Sequence, residues 1–137
     1  MIQFNLTGIL PEYVENLFKK ICVEELIKNE KAPEGIQLKS STSWTAIGQK
    51  GAYHATHAHN ELSKEYADHI STCLYLETPK MVDRNGTFYA FSRKPEVIKK
   101  YPKVGKLLIF PTWVYHGTYP QNEGTRQTLN LSFEINK

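Results

Sequence analysis

The sequence predicts a mainly β protein, a sandwich or a barrel, with one helix packed outside it. The first observation is a single amphipathic stretch near the N-terminus with the spacing of a helix. The second is that short segments rich in β-branched and aromatic residues recur from residue 35 onwards. A length of 137 residues suits one domain, with an N-terminal strand and helix over residues 1–34 and the β core over residues 35–137.

The helix is expected to start at Pro11, because proline suits a first helical position, where no N–H is needed. Six apolar side chains then follow at the spacing of one helical face: Val14, Leu17, Phe18, Ile21, Cys22 and Leu26. Residues 31–35, which include Pro33, should end the helix.

Strands are expected at residues 35–39, 43–47, 52–59, 71–77, 87–91, 106–110 and 126–135. Asn85 and Gly86 form a hairpin-type turn signal before the fifth of these. In the last strand two sets of side chains alternate, the apolar Leu129, Leu131, Phe133 and Ile135 and the polar Arg126, Thr128, Asn130 and Ser132. In a simple sandwich the polar face meets solvent, whereas in a barrel with a ligand in its mouth it lines the pocket.

Charge and segment composition exclude several classes of protein. The net charge of +3 is small, which disfavours a dedicated nucleic-acid binder. The apolar stretches are too short to span a bilayer, and the N-terminus has no signal-peptide pattern. Two cysteines make no disulfide framework, so buried, reduced thiols and a cytoplasmic location are expected.

Histidines provide the main chemical signal. His57 and His59 are two positions apart on a predicted strand, so both rings leave the same face, and His116 follows another strand. Neutral imidazoles suit iron, zinc, copper or nickel, and we therefore expect a metal bound by these three residues. His54 and His69 are expected to be surface or satisfied core residues.

The identity of the third metal ligand stays open at this point. Glu61 shares the parity of His57 and His59, so a site made of His59, Glu61 and His116 is the alternative to three histidines. Other carboxylates lie in predicted loops and are weaker candidates, namely Glu65, Asp68 and Asp83.

Arg126 opens the last strand ten positions after His116, and Thr128 shares its face. A guanidinium can hold a carboxylate through two parallel hydrogen bonds, and a nearby hydroxyl can add another. This pair suits a dicarboxylate that chelates the metal at one end and meets Arg126 at the other.

From residue 43 to residue 136 the chain resembles the Fe(II)- and 2-oxoglutarate-dependent oxygenases, and within them a short branch found in marine bacteria and their phages. The matching pieces are SW at 43–44, GAYHATHAH at 51–59, STCLYL at 71–76, NGTFYAF at 85–91, VGKLLIFPTWVYHGTYP at 104–120 and RQTLNLSFEIN at 126–136.

The resemblance implies a double-stranded β-helix, or jelly roll, with iron(II) in its mouth and 2-oxoglutarate as co-substrate. It implies His57 and His116 as iron ligands and Arg126 as the 2-oxoglutarate anchor, with Thr128 where related enzymes often have serine. The common first motif is HxD, and His59 stands at its aspartate position. The implied reaction is hydroxylation of an unidentified small-molecule or peptidyl substrate, with succinate and CO2 as co-products.

A second resemblance is to the cupins, which share the jelly roll. Gly51 to His59 and Gly105 to His116 match parts of the two cupin motifs, whereas Ser63, Lys64 and Trp113 depart from them. The alternative function is therefore a cupin-like metal-binding protein without 2-oxoglutarate chemistry. A metal-free jelly-roll interaction protein is the third hypothesis.

Four aromatic residues are candidates to line the pocket, with ordinary core packing as the alternative for each: Trp44, Tyr53, Tyr75 and Trp113. Tyr75 is also a candidate co-substrate contact. Residues 60–69 form either a lid or a surface insertion. The basic run over residues 93–106 is either a solvated face or an attraction for an anionic substrate. Oligomeric state stays open.

Overall fold

One helix and two antiparallel sheets build the part of the chain that the computed structural model describes, residues 1–58, 69–80, 85–91 and 94–136. In chain order the elements are β1 (Ile2–Asn5), α1 (Glu12–Lys28), β2 (Gln37–Gly48), β3 (His54–His57), β4 (His69–Glu77), β5 (Phe88–Phe91), β6 (Val97–Lys100), β7 (Leu107–Pro111), β8 (Tyr115–Thr118) and β9 (Arg126–Asn136). No helix in these described ranges combines the length and the apolar character needed to cross a membrane.

The five-stranded sheet has the order β1-β2-β9-β4-β7, and the four-stranded sheet has the order β3-β8-β5-β6. Every paired strand runs antiparallel to its neighbour. Strands that are neighbours in sequence mostly fall in different sheets, as in a jelly roll. The predicted double-stranded β-helix with a helix outside it is confirmed.

The largest hydrophobic cluster lies between α1 and the outer face of the five-stranded sheet. Phe18 and Cys22 of the helix pack against Leu131 and Phe133 of β9, and all four are buried. Burying such side chains stabilises the fold by roughly 1.5–3 kcal/mol each. A smaller cluster lies between the sheets, around the buried Tyr75.

The two faces of β9 therefore have different tasks. Leu131 and Phe133 belong to the outer core, whereas Arg126 and Thr128 on the opposite face are buried in the interior between the sheets. Of the two arrangements that the alternation allowed, the structure has the polar face lining an internal cavity.

Three details of the predicted elements need correction. Pro11 precedes the helix as its N-cap, so the first helical residue is Glu12. Leu17 is 55% exposed, because the helix turns its Phe18 and Cys22 side toward the sheet. The two segments predicted at 35–39 and 43–47 form one strand, β2, whose pairing with β9 shifts register between Ser40 and Thr42.

Two strands were not predicted. β6 falls within the basic run over residues 93–106, and β8 is short and contains Gly117, which is a poor strand former. Both belong to the four-stranded sheet, whose short strands carry weak sequence signals.

Candidate functional site

A histidine pair lies on two adjacent strands of the four-stranded sheet, the edge strand β3 and its neighbour β8. β3 and β8 pair so that His57 stands opposite His116, and the two ring centroids are 4.3 Å apart. The Nδ1 of His57 lies 2.7 Å from the Ala55 carbonyl oxygen, and that of His116 lies 2.8 Å from the Val114 carbonyl oxygen. A carbonyl only accepts, so each Nδ1 carries the proton and each Nε2 carries the lone pair that binds a metal.

His116 sits in a largely apolar setting. Its ring centroid is 4.6 Å from that of Phe110 and 5.6 Å from that of Phe88. Burial lowers the pKa of His116 to about 4, and the nearby His57 also lowers it, while the Val114 carbonyl acts in the opposite direction. The imidazole is therefore neutral at pH 7, which is the form that ligates a metal.

The two histidines that were expected outside the site both lie on the cavity wall. His54 stacks on His57 with ring centroids 5.6 Å apart and an interplanar angle of 30°. Burial and the charge of Arg126 lower the pKa of His54 to about 4. His69 is buried at the start of β4.

The third predicted ligand lies outside the described residues, as do all the carboxylate candidates: His59, Glu61, Glu65, Asp68 and Asp83. Within the described ranges no three histidine, cysteine, aspartate or glutamate side chains are placed to hold one metal ion. The choice between His59 and Glu61 thus stays a prediction, while the structure brings His57 and His116 together.

Arg126 is a buried guanidinium without a carboxylate partner among the described residues. It is 4% exposed, and its Nε has no hydrogen-bond partner in the described ranges. Its Nη2 donates to the Met1 sulfur, at 3.8 Å. The buried hydroxyl of Tyr75, near Arg126, also lacks a hydrogen-bond partner within the part of the chain that the structure describes, and burial raises the pKa of Tyr75. A buried cation beside an unsatisfied hydroxyl is costly unless an anion completes the site.

Polar side chains continue along β9 from Arg126. Thr128, Asn130 and Ser132 all line the same cavity. Asn130 donates from Nδ2 to the Thr128 hydroxyl at 2.9 Å, which orients that hydroxyl. The predicted grouping of Arg126 with Thr128 is present on the cavity wall.

The cavity between the sheets has a volume of about 700 Å³ and is lined by the histidines, the polar face of β9, Trp44 and Tyr75. This volume lies within the range of roughly 300–1,000 Å³ that small-molecule sites occupy. Tyr53 and Trp113, the other two aromatic candidates, are 59% and 39% exposed. Cys73, Phe88 and Phe110 also line the cavity, although no motif in the sequence marks them as site residues.

Gly117, beside His116 in β8, permits the close packing of the strands around the histidine pair. A Cβ added at Gly117 would lie 2.5 Å from the Tyr89 hydroxyl and 2.7 Å from the His54 carbonyl oxygen. The Tyr89 hydroxyl also hydrogen-bonds Thr56 of β3 at 2.7 Å. Only a residue without a side chain fits this position.

Comparison with protein families gives one match. The model of a family described as "Putative 2OG-Fe(II) oxygenase" matches residues 42–134, which is more than half of the chain. No curated protein sequence matches the chain.

Solved structures with the same fold include an oxidoreductase of the 2OG-Fe(II) oxygenase family from Burkholderia pseudomallei. It has a TM-score of 0.64 and 12% identity, covering 80% of this chain and 50% of that one. A prolyl hydroxylase from Trichoplax adhaerens, solved with a hypoxia inducible factor peptide fragment, has a TM-score of 0.63 and 20% identity, covering 84% and 54%.

A viral collagen prolyl hydroxylase from Paramecium Bursaria Chlorella virus-1, solved as a 2OG complex, has a TM-score of 0.67 and 16% identity. The match covers 98% of this chain and 79% of that one. At these identities the likeness is one of fold. This chain matches about half the length of the bacterial oxidoreductase and of the Trichoplax enzyme.

Proposed function

Because the chain belongs to the 2OG-Fe(II) oxygenase family, we propose that it is an Fe(II)- and 2-oxoglutarate-dependent dioxygenase that hydroxylates a small-molecule or peptidyl substrate. The observation that carries the proposal is the buried Arg126 guanidinium, which has no carboxylate partner in the described part of the chain and faces the same cavity as the His57–His116 pair.

The residues present fit both groups that this reaction needs. His57 and His116 would hold iron(II) through Nε2, since a backbone carbonyl fixes each Nδ1 as the protonated nitrogen. His59 would be the third ligand, with Glu61 as the alternative. Arg126 and the Tyr75 hydroxyl would bind the far carboxylate of 2-oxoglutarate, and Thr128 would add a hydrogen bond.

Bound iron(II) and 2-oxoglutarate together supply the activation of dioxygen, in which one oxygen atom enters the substrate and the other enters succinate as CO2 is released. The chain's own residues would orient the two bound groups and enclose them. The β3–β8 pair fixes the imidazoles, and β9 holds the guanidinium and the Thr128 hydroxyl on the facing wall. The apolar rings of Phe88 and Phe110 keep water from one side of His116.

The substrate is proposed only by class. The cavity volume of about 700 Å³ suits a ligand the size of a drug molecule. The Trichoplax structure holds a peptide, which supports a peptidyl substrate, and the open polar wall along β9 would equally accept a small metabolite. A cytoplasmic location stays a prediction from the sequence.

The test is anaerobic. The protein is loaded with Fe(II), 2-oxoglutarate is added, and the visible metal-to-ligand charge-transfer band is recorded for the natural chain, Arg126→Ala and Gln127→Ala. We expect the band in the natural chain and in Gln127→Ala, because Gln127 points away from the Arg126 face. Arg126→Ala should keep iron and lose the band at the same 2-oxoglutarate concentration.

An unchanged band in Arg126→Ala would contradict the assignment of Arg126. Iron binding without any band in the natural chain would contradict the proposed function and favour a cupin-like metal-binding protein.

A further inference from the structure

His54 is the residue on the cavity wall whose position the strand pattern does not explain. In a regular strand, residues three apart point to opposite faces, so His54 should point away from the face that carries His57. Both rings nevertheless lie on the cavity side and stack, with centroids 5.6 Å apart.

A local irregularity in β3 causes this. His54 pairs with Thr118 and His57 pairs with His116, so three steps along β3 match two steps along β8. The His54 N–H donates to the Thr118 hydroxyl at 2.9 Å, which holds the shifted strand in place. Bulges of this kind re-aim side chains and occur next to active sites.

The re-aimed ring lies on the wall of the cavity that also holds both halves of the proposed site, the histidine pair and Arg126. It stacks on His57 on one side, and it is within electrostatic range of Arg126, as well as of His116. As placed, it does not complete a three-donor metal site with His57 and His116, because no such set exists among the described residues.

A dicarboxylate that reaches from the metal to Arg126 would lie in the cavity whose wall this ring shares. We propose that His54 contacts 2-oxoglutarate between its metal-bound end and the carboxylate held by Arg126, and so positions the co-substrate. This inference rests on the proposed function and adds a positioning residue outside the HxH motif. An imidazole suits the task because it offers both an N–H donor and a lone pair.

The experiment is an anaerobic titration of Fe(II)-loaded protein with 2-oxoglutarate, followed by the charge-transfer band, with iron affinity measured separately. The variants are His54→Phe, His54→Leu and His54→Gln, and the control is Tyr53→Phe, whose side chain is exposed beside His54 in the chain. We expect the dissociation constant for 2-oxoglutarate to rise about tenfold in the two apolar variants, because each loses one hydrogen bond to a charged group.

His54→Gln keeps a donor and an acceptor, so it should restore most of the affinity. Iron affinity should stay within about threefold of the natural chain in every variant, since His54 is not a ligand. A shift in the band maximum of the apolar variants would add evidence for contact, because a merely structural role moves stability and not the spectrum.

The experiment distinguishes a failure of the proposed function from a failure of the role of His54. No band in the natural chain overturns the proposed function. A normal band in the natural chain, with His54→Phe and His54→Leu binding 2-oxoglutarate equally well, overturns the role of His54 alone. Loss of iron binding in both apolar variants also overturns it, since it would make His54 a metal ligand.

Discussion

His57 and His116 stand opposite each other across the β3–β8 pair, with ring centroids 4.3 Å apart and the same Nδ1-to-carbonyl hydrogen bond two residues back in the chain. The two imidazoles thus have the same tautomer and face the same cavity before any metal binds. Because the strands set this geometry, the site does not depend on a mobile loop to bring these two ligands together.

Replacing either member of this pair should abolish tight metal binding. We expect His57→Ala and His116→Ala each to weaken Fe(II) affinity by at least about 100-fold, whereas His69→Ala, on the same cavity wall, should retain the metal. Anaerobic metal titration with a competing chelator measures the affinities. Equal loss in His69→Ala would show that the cavity, and not the pair, determines binding.

Thr128 should matter through its hydroxyl. Its Oγ1 accepts from Asn130 Nδ2 at 2.9 Å, and its own O–H would donate to a carboxylate bound at Arg126. Thr128→Val should raise the 2-oxoglutarate dissociation constant about tenfold, and Thr128→Ser should stay within about twofold. The same anaerobic titration measures both. Equal affinities for the valine and serine variants would remove Thr128 from the co-substrate site.

Gly117→Ala should destabilise the four-stranded sheet and the metal site together. The added methyl group would approach the Tyr89 hydroxyl to 2.5 Å and the His54 carbonyl oxygen to 2.7 Å, so β8 has to move. We expect a loss of about 1–3 kcal/mol in the free energy of unfolding, with weaker iron binding. Urea denaturation and metal titration measure the two effects.

The double variant Gly117→Ala/Tyr89→Ala is the control for that prediction. It should recover part of the stability because the Tyr89 contact is gone while the His54 carbonyl contact remains. If the single variant were as stable as the natural chain, the packing at Gly117 would be looser than described.

Phe133→Ala should be the most damaging change in the outer core. Phe133 is fully buried under α1, so its loss should cost about 3–5 kcal/mol of unfolding free energy. Phe91→Ala is the matched control, because Phe91 is 44% exposed on β5 and should cost less than about 1 kcal/mol. Urea denaturation with iron-free protein separates these effects from metal binding, and similar costs would contradict the placement of the core.

The buried thiol of Cys22 predicts a pH dependence. Burial raises the pKa of Cys22 from 9.0 to about 12, so the folded protein holds this proton more tightly than the unfolded chain. The resulting stabilisation is complete below pH 9 and is lost as the pH rises toward 12. Burial raises the pKa of Cys73 as well, with the same sign.

At pH 8 a thiol reagent should therefore label native Cys22 far more slowly than unfolded Cys22, because the native thiol is buried and protonated. The urea midpoint should fall between pH 9 and pH 10.5, and Cys22→Ala should reduce this slope. Rapid labelling of the native protein at pH 8 would contradict the burial of Cys22 beneath the helix.

Much of the fold followed from local pattern. The alternation in β9 predicted both of its faces, and the His57 and His116 motifs predicted the facing pair. The strand alternation could not decide whether Arg126 meets solvent or a cavity, because that depends on which sheet closes over it. The structure decides this, since the four-stranded sheet covers the polar face.

His54 was missed for a specific reason. Its three-residue offset from His57 places it on the opposite face of any regular strand, and only the register shift between β3 and β8 reverses this. Similarly, Tyr53 and Trp113 are aromatic residues of the kind that often line pockets. Their exposure depends on neighbouring strands, which the sequence alone does not position.

One face of β9 packs in the core beneath the helix and the other lines the cavity, and this difference affects which residues can vary. Alternate residues of one strand pack beneath the helix and line the cavity, so substitutions at one set need not disturb the other. A library that varies only Asn130 and Ser132 of β9, together with Trp44, which pairs with Asn130 on the neighbouring strand β2, should change substrate preference on an intact framework. Variants of this kind would differ in substrate preference while keeping the same fold.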